Sequence, residues 1–149
     1  MNNWVVLKII YKFTLYEPLN QPIMNSMFTK IVRRILGGIL VLFGLNILLP
    51  QPFIPLPVPP EKAAAFLSSM AATGYILKTV ALLELIIGVL LLAKKWVAFA
   101  LLSLVPISIN IVLFHLFLDA SGIAGALIVA ILNGILIYKN WSSYKSLFL

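Results

Sequence analysis

The chain contains no cysteine among its 149 residues. That excludes disulfides, thiol redox chemistry, iron–sulfur clusters and thiolate metal sites built by this chain alone. It has one histidine, which excludes bis-histidine haem ligation within a single chain. Charge is equally scarce. Charged side chains make up 10% of the sequence, and only four residues are acidic against eleven basic. A typical soluble domain carries roughly 25% charged residues. There is no phosphate loop, no dinucleotide fingerprint and no Ser-His-Asp pattern in a polar setting. No polar stretch is long enough to be a soluble catalytic domain.

What is present is apolar surface, at 62% of residues. One small globule cannot hide that much from water, but a bilayer can act as solvent for its outer face. The predicted class is all-α: a four-helix transmembrane bundle with a short outer amphipathic helix between spans one and two. A spanning helix needs about 20 mostly apolar residues. Four segments qualify, at about 30–49, 75–93, 96–118 and 122–138. The last is short and suits a thin or locally pinched bilayer.

The formal charge is +7, which in a soluble chain would raise the question of nucleic acid. Here the charges cluster at the ends of the apolar runs, so no nucleic-acid partner is expected. Lys8, Lys12, Lys30, Arg33, Arg34, Lys94, Lys95, Lys139 and Lys145 fall on one side, and Lys62 and Lys78 on the other. Nine against two places the first side, and both termini, in the cytoplasm. Trp96, Tyr138, Trp141 and Tyr144 then lie at the inner interface as an aromatic belt.

The chain divides into a leader at 1–29, a membrane domain at 30–141 and a cytoplasmic tail at 142–149. The leader shows no cleavable signal peptide. Trp4, Lys8 and Lys12 at four-residue spacing would suit an interfacial helix; a translation start at Met24 or Met27 is the alternative. Between spans one and two, Pro50, Pro52, Pro55, Pro57, Pro59 and Pro60 rule out a helix. A helix can restart at Glu61 and end before Gly74, with Ala63, Phe66, Leu67 and Met70 on one face. It would lie on the outer membrane surface or cap the bundle as a lid.

Small residues let helices approach in lipid. Span four carries Gly122, Ala126, Ala130 and Gly134 at four-residue spacing; span one has Gly37, Gly38 and Gly44, and span two has Gly88. Packing within the bundle is the expected use, and a homodimer through the span-four stripe is the alternative. Pro106 should kink span three, leaving the Leu102 carbonyl to Ser103 or a buried water.

Polar side chains at depth cost free energy and need a reason. Glu84 falls near the midplane of span two. Asn110 and Asn133 come out at similar depth, with Asn46 and His115 nearer the outer surface. Facing inward together, these five would form a polar pocket open to the outside, supported by Asp119, Ser103 and Pro106. His115 and Asp119 can pair at i, i+4. Ser108 shares their face, while Ser103, Asn110 and Phe114 share another. A protonated Glu84 among amides could bind a quinone carbonyl, relay a proton, or stand as a buried hydrogen-bond donor. The blander readings are interhelical glue for the asparagines, a solvated His115 and a helix cap for Asp119.

The ordered set of residues resembles a known family. Phe43-Gly44-Leu45-Asn46 runs into the proline-rich loop. Pro60-Glu61-Lys62-Ala63 with Phe66 leads to Thr73-Gly74-Tyr75, and Glu84 stands in span two. Span three reads Pro106-Ile107-Ser108-Ile109-Asn110, then Phe114-His115-Leu116-Phe117-Leu118-Asp119. This pattern resembles the DoxX family of small bacterial membrane proteins, over about residues 30–144. The resemblance implies a four-helix bundle in the bacterial inner membrane. It also implies a place beside a quinone- or redox-linked system with partner proteins, and a non-covalently bound quinone as the one candidate cofactor. It supplies no catalytic residues. A carrier for a small solute or proton, or a structural membrane partner, are the alternative functions.

Overall fold

A computed structural model describes residues 26–145, whose regular structure is helical, with no strand among the described residues. The leader positions Trp4, Lys8, Lys12 and Met24, and the last four residues of the tail, lie outside the described residues. Five α-helices follow in order: α1 at Met27–Leu48, α2 at Glu61–Ala72, α3 at Ile76–Leu92, α4 at Val97–Phe117 and α5 at Ile123–Lys139. Single 3-10 turns stand at Ala120–Gly122 and Trp141–Ser143.

Local chemistry sets the ends. The Ser26 hydroxyl accepts from the Thr29 amide at 3.2 Å and caps α1. The prolines from Pro50 onward stop α1 from continuing. α2 starts directly after Pro60, with Glu61 in the first turn where the helix dipole favours an acid. Gly74 ends it with φ at 77°, a left-handed conformation suited to glycine. The Thr73 hydroxyl then accepts from the Ile76 amide at 3.2 Å and starts α3. The connection to α4 turns through Lys94 and Trp96, both at positive φ without glycine.

α1, α4 and the continuous segment Ala120–Lys139 are long and apolar enough to cross a membrane. α3 is equally apolar but has only 17 residues, about 26 Å at 1.5 Å per residue against a hydrocarbon core of about 30 Å. α2 and α3 together form a pair bent by 89°, so the spans number three, or four with this bent pair counted as one.

α1 packs most closely on α3 and α4 on α5, and the α3–α4 and α1–α5 contacts close the ring. α3 and α5 are therefore diagonal. The α1–α3 contact is made by small residues. A Cβ on Gly88 would stand 2.8 Å from the Gly37 carbonyl, and one on Gly44 would stand 2.8 Å from the Ala81 carbonyl. Backbones approach this closely only where side chains are missing.

The span-four stripe packs differently. The inward residues of α5 are Ala126, Val129, Asn133 and Leu136. Gly122 lies against the His115 ring, Ala130 is half-buried, and Gly134 is exposed with open space where a Cβ would be. The four do not share one face, because steps of four residues drift about 40° each at about 100° per residue. By Gly134 the stripe has turned about 120° from Gly122.

The apolar core is uneven along the bundle. Val32, Leu36, Leu40, Ile87, Leu91, Ala100, Leu101, Leu104, Val129 and Leu136 form one cluster drawn from four helices. Most of them lie in the half that contains the starts of α1 and α4 and the end of α3. In the other half the buried residues are mostly small or polar, among them Gly44, Asn46, Ala63, Ala81, Ser108 and Ala126. On α4 the fully buried positions stop at Ser108.

The charged residues follow the same division. Arg33 on α1 bonds to the carbonyls of Leu91 and Leu92 at the end of α3. Tyr144 donates to the Ala98 carbonyl at the start of α4. These contacts gather Lys30, Arg33, Arg34, Lys94, Lys95, Lys139 and Lys145 at one end, the basic end. Lys62 and Lys78 belong to the other, the loop end.

Candidate functional site

Glu84 sits at the middle of α3, on the face that carries Ala81, Gly88 and Leu91 inward. The two close approaches of α1, at Ala81 and at Gly88, lie one helical turn to either side of it. They fix the rotation of α3 and with it the direction of the carboxyl. The side chain is 5% exposed, and its Oε2 has no hydrogen-bond partner. Asn133 is 2% exposed on the inner face of α5, and its Oδ1 also has no partner. Counted from the loop end at 1.5 Å per residue, Glu84 lies about 12 Å deep and Asn133 about 15 Å. Two diagonal helices thus turn one unpartnered oxygen each towards the bundle interior, at similar depth. These two are the buried side-chain oxygens left without a partner among the described residues. Buried polar groups in folded proteins are nearly always paired, so such atoms call for an explanation.

The other polar residues singled out in the sequence have local partners. Asn46 is buried, but its amide is used twice by the proline-rich loop. Its Nδ2 donates to the Ile54 carbonyl at 3.2 Å and its Oδ1 accepts from the Ile54 amide at 2.7 Å. It clamps the loop onto the end of α1. Ser108 is buried and donates to the Val105 carbonyl at 3.0 Å. Asn110 is exposed, and donates to the Pro106 carbonyl of its own helix at 2.9 Å. The inner face of α4 is set by Leu101, Leu104 and Ser108, and Asn110 stands about 200° round from Ser108 at 100° per residue. It therefore faces away from Glu84. Ser103 is half-buried and Pro106 is exposed.

His115 and Asp119 meet at the loop end. The His115 Nδ1 lies 2.8 Å from the Asp119 backbone oxygen and 3.7 Å from its carboxylate. The carboxylate itself accepts from the amide of Ser121 at 3.2 Å and from its hydroxyl at 2.5 Å, which caps the 3-10 turn. The His115 ring packs edge-on to Phe114, with centroids 5.0 Å apart. Phe114 in turn touches Phe66 of α2 at 5.9 Å. This aromatic row brings α2 over the loop end of α4, above the level of Glu84 and Asn133.

One buried charge was missed in the sequence. Arg33 reads there as one more basic residue of the interface. In the fold it is 4% exposed and caps the end of α3 through the Leu91 and Leu92 carbonyls. Its only sequence signal is that it falls one turn before Leu36 and Gly37, on the face towards α3. Tyr144 at the same end is buried, which pushes its phenol above the ordinary 10.0, against a smaller opposing effect of the Asn140 hydrogen bond.

Compared with known proteins, the chain matches no family model, no curated protein and no solved structure.

Proposed function

We propose that this chain is a DoxX-like integral membrane protein, a subunit or accessory of a quinone- or redox-linked system in the bacterial inner membrane. In this reading α1, α3, α4 and α5 span the bilayer as a bundle. α2 is the short amphipathic helix at the outer face, the basic end is cytoplasmic, and the loop end faces outward. Glu84 and Asn133 form the polar floor of a small site entered from the loop end, beneath Phe66 and Phe114.

The observation that carries the proposal is the pair of unpartnered oxygens on Glu84 and Asn133. An unsatisfied buried acceptor costs about 1–3 kcal/mol, and more in a lipid-enclosed interior. A purely structural bundle gains nothing by keeping two of them at similar depth. The small residues buried around that level support the same reading.

The test is to purify the full chain in mild detergent and extract it for mass spectrometry. A quinone-like amphiphile should co-purify with the wild-type protein and be lost from Glu84→Leu and Asn133→Leu. Retention in both variants, or no such molecule in the wild type, would sink the reading. Asn46, Ser108 and Asn110 all have local partners; they are assigned to packing and loop attachment.

A further inference from the structure

Asn110 faces away from the bundle at a depth where water does not reach. This step rests on α4 crossing the bilayer, and not on any ligand at Glu84 and Asn133. The buried side of α4 is Ala100, Leu101, Leu104 and Ser108. Its other side carries Phe99, Ser103, Pro106, Asn110, Leu113 and Phe117, all exposed except the half-buried Ser103. From Phe99 to Phe117 these residues follow at alternating steps of four and three, the spacing of a seam between two packed helices. Asn110 lies seven residues before the end of α4, about 10 Å below it at 1.5 Å per residue, inside a hydrocarbon core of about 30 Å. Its Nδ2 gives one hydrogen to the Pro106 carbonyl. That bond leaves the second hydrogen and Oδ1 to find partners elsewhere. Pro106 has no amide hydrogen, so the carbonyl of exposed Leu102 beside the seam lacks its usual helical donor. Lipid tails offer these polar atoms nothing.

We infer that this seam of α4 binds the same seam of a second copy of the chain, parallel and about a two-fold axis, with the two Asn110 carboxamides hydrogen-bonded to each other. A carboxamide is self-complementary, with an N–H and an oxygen both to offer. A two-fold axis sets the donor of each against the acceptor of the other. A helix of different sequence would need a matching polar group at this one depth, whereas a second copy brings it by symmetry. One asparagine in an otherwise apolar seam also fixes the register of a helix pair and the number of helices in it. Ser103 is small enough to let the backbones approach, and Phe99 and Phe117 close the seam at either end. The small-residue stripe of α5 is the weaker surface, because its four members do not share a face.

The experiment uses the full chain, first in its membrane. With no native cysteine, one introduced thiol can cross-link only through its own position. Under mild oxidation Leu113→Cys, in the seam, should give a disulfide-linked dimer of the chain. Gly134→Cys, exposed on α5, should not. In detergent, sedimentation equilibrium should show self-association weakened about tenfold in Asn110→Leu, and by less than about threefold in Asn110→Gln, which keeps the carboxamide. A monomeric wild-type chain would overturn the inference. So would cross-linking at Gly134 but not at Leu113, or at Leu113 only to a different protein, or unchanged self-association in Asn110→Leu. The cross-linking pair leaves Asn110 in place, so it decides the matter if Asn110→Leu does not fold. Each of these results is separate from the extraction that tests Glu84 and Asn133, and either reading can fail alone.

Discussion

Single residues in this chain divide by whether their polar atoms are satisfied close by. The cost of burying Glu84 in an apolar helix could be read in the sequence, and so could the similar depth of Asn133. The failure of Asn110 to join them could not be read from depth. Depth follows from counting residues, but direction follows from which face of α4 carries Leu101, Leu104 and Ser108. Arg33 shows the opposite error, in which a basic residue at a span end looks like a solvated charge. Its guanidinium instead caps a neighbouring helix, and hydrogen bonds to a charged group are worth about 1.5–3 kcal/mol. Arg33→Ala should therefore lower stability by about 2 kcal/mol in detergent unfolding. Arg34→Ala, at an exposed position, should change it by less than about 0.5 kcal/mol. Equal effects of the two would remove the capping role from Arg33.

At the scale of elements, hydropathy located the apolar segments well because each is long and uniform. Helix ends were legible where capping chemistry is local and marked by proline, glycine or an acid: Pro60, Gly74 and Asp119; the Ser26 cap was not, and the first helix begins at Met27 rather than at about residue 30. Pairing was harder to see. The regular four-residue stripe of α5 looks like the main packing seam, yet the closest backbone contact is between α1 and α3. The sequence signal there is weaker, with Gly37 and Gly44 on one helix and Ala81 and Gly88 on the other. Spacing alone does not show which small residues meet. A Cβ on Gly88 meets backbone atoms of Gly37 and Val41 at 2.8 and 3.0 Å. Overpacking of this kind costs about 1–3 kcal/mol, so Gly88→Ala should destabilise the protein by that much. Gly134→Ala adds its Cβ to open space, and should be neutral or stabilising by up to about 1 kcal/mol from helix propensity. Thermal unfolding of both variants in one detergent makes the comparison, and a harmless Gly88→Ala would place the α1–α3 seam elsewhere.

For the whole molecule, the segregation of basic residues to one end gives the orientation a direct test. The chain has no cysteine, so a single introduced thiol reports its own position with no background. Lys62→Cys should react with a membrane-impermeant maleimide in intact cells, while Lys95→Cys should react only after the membrane is opened. The reverse pattern would invert the proposed topology. The uneven core bears on how such a molecule moves. Large aliphatic side chains lock the four helices together at the basic end. Towards the loop end the large aliphatic contacts give way to small and polar residues, yet the Gly44–Ala81 approach still holds α1 against α3 there. The α1–α3 pair is thus riveted at two levels, one in each half of the molecule.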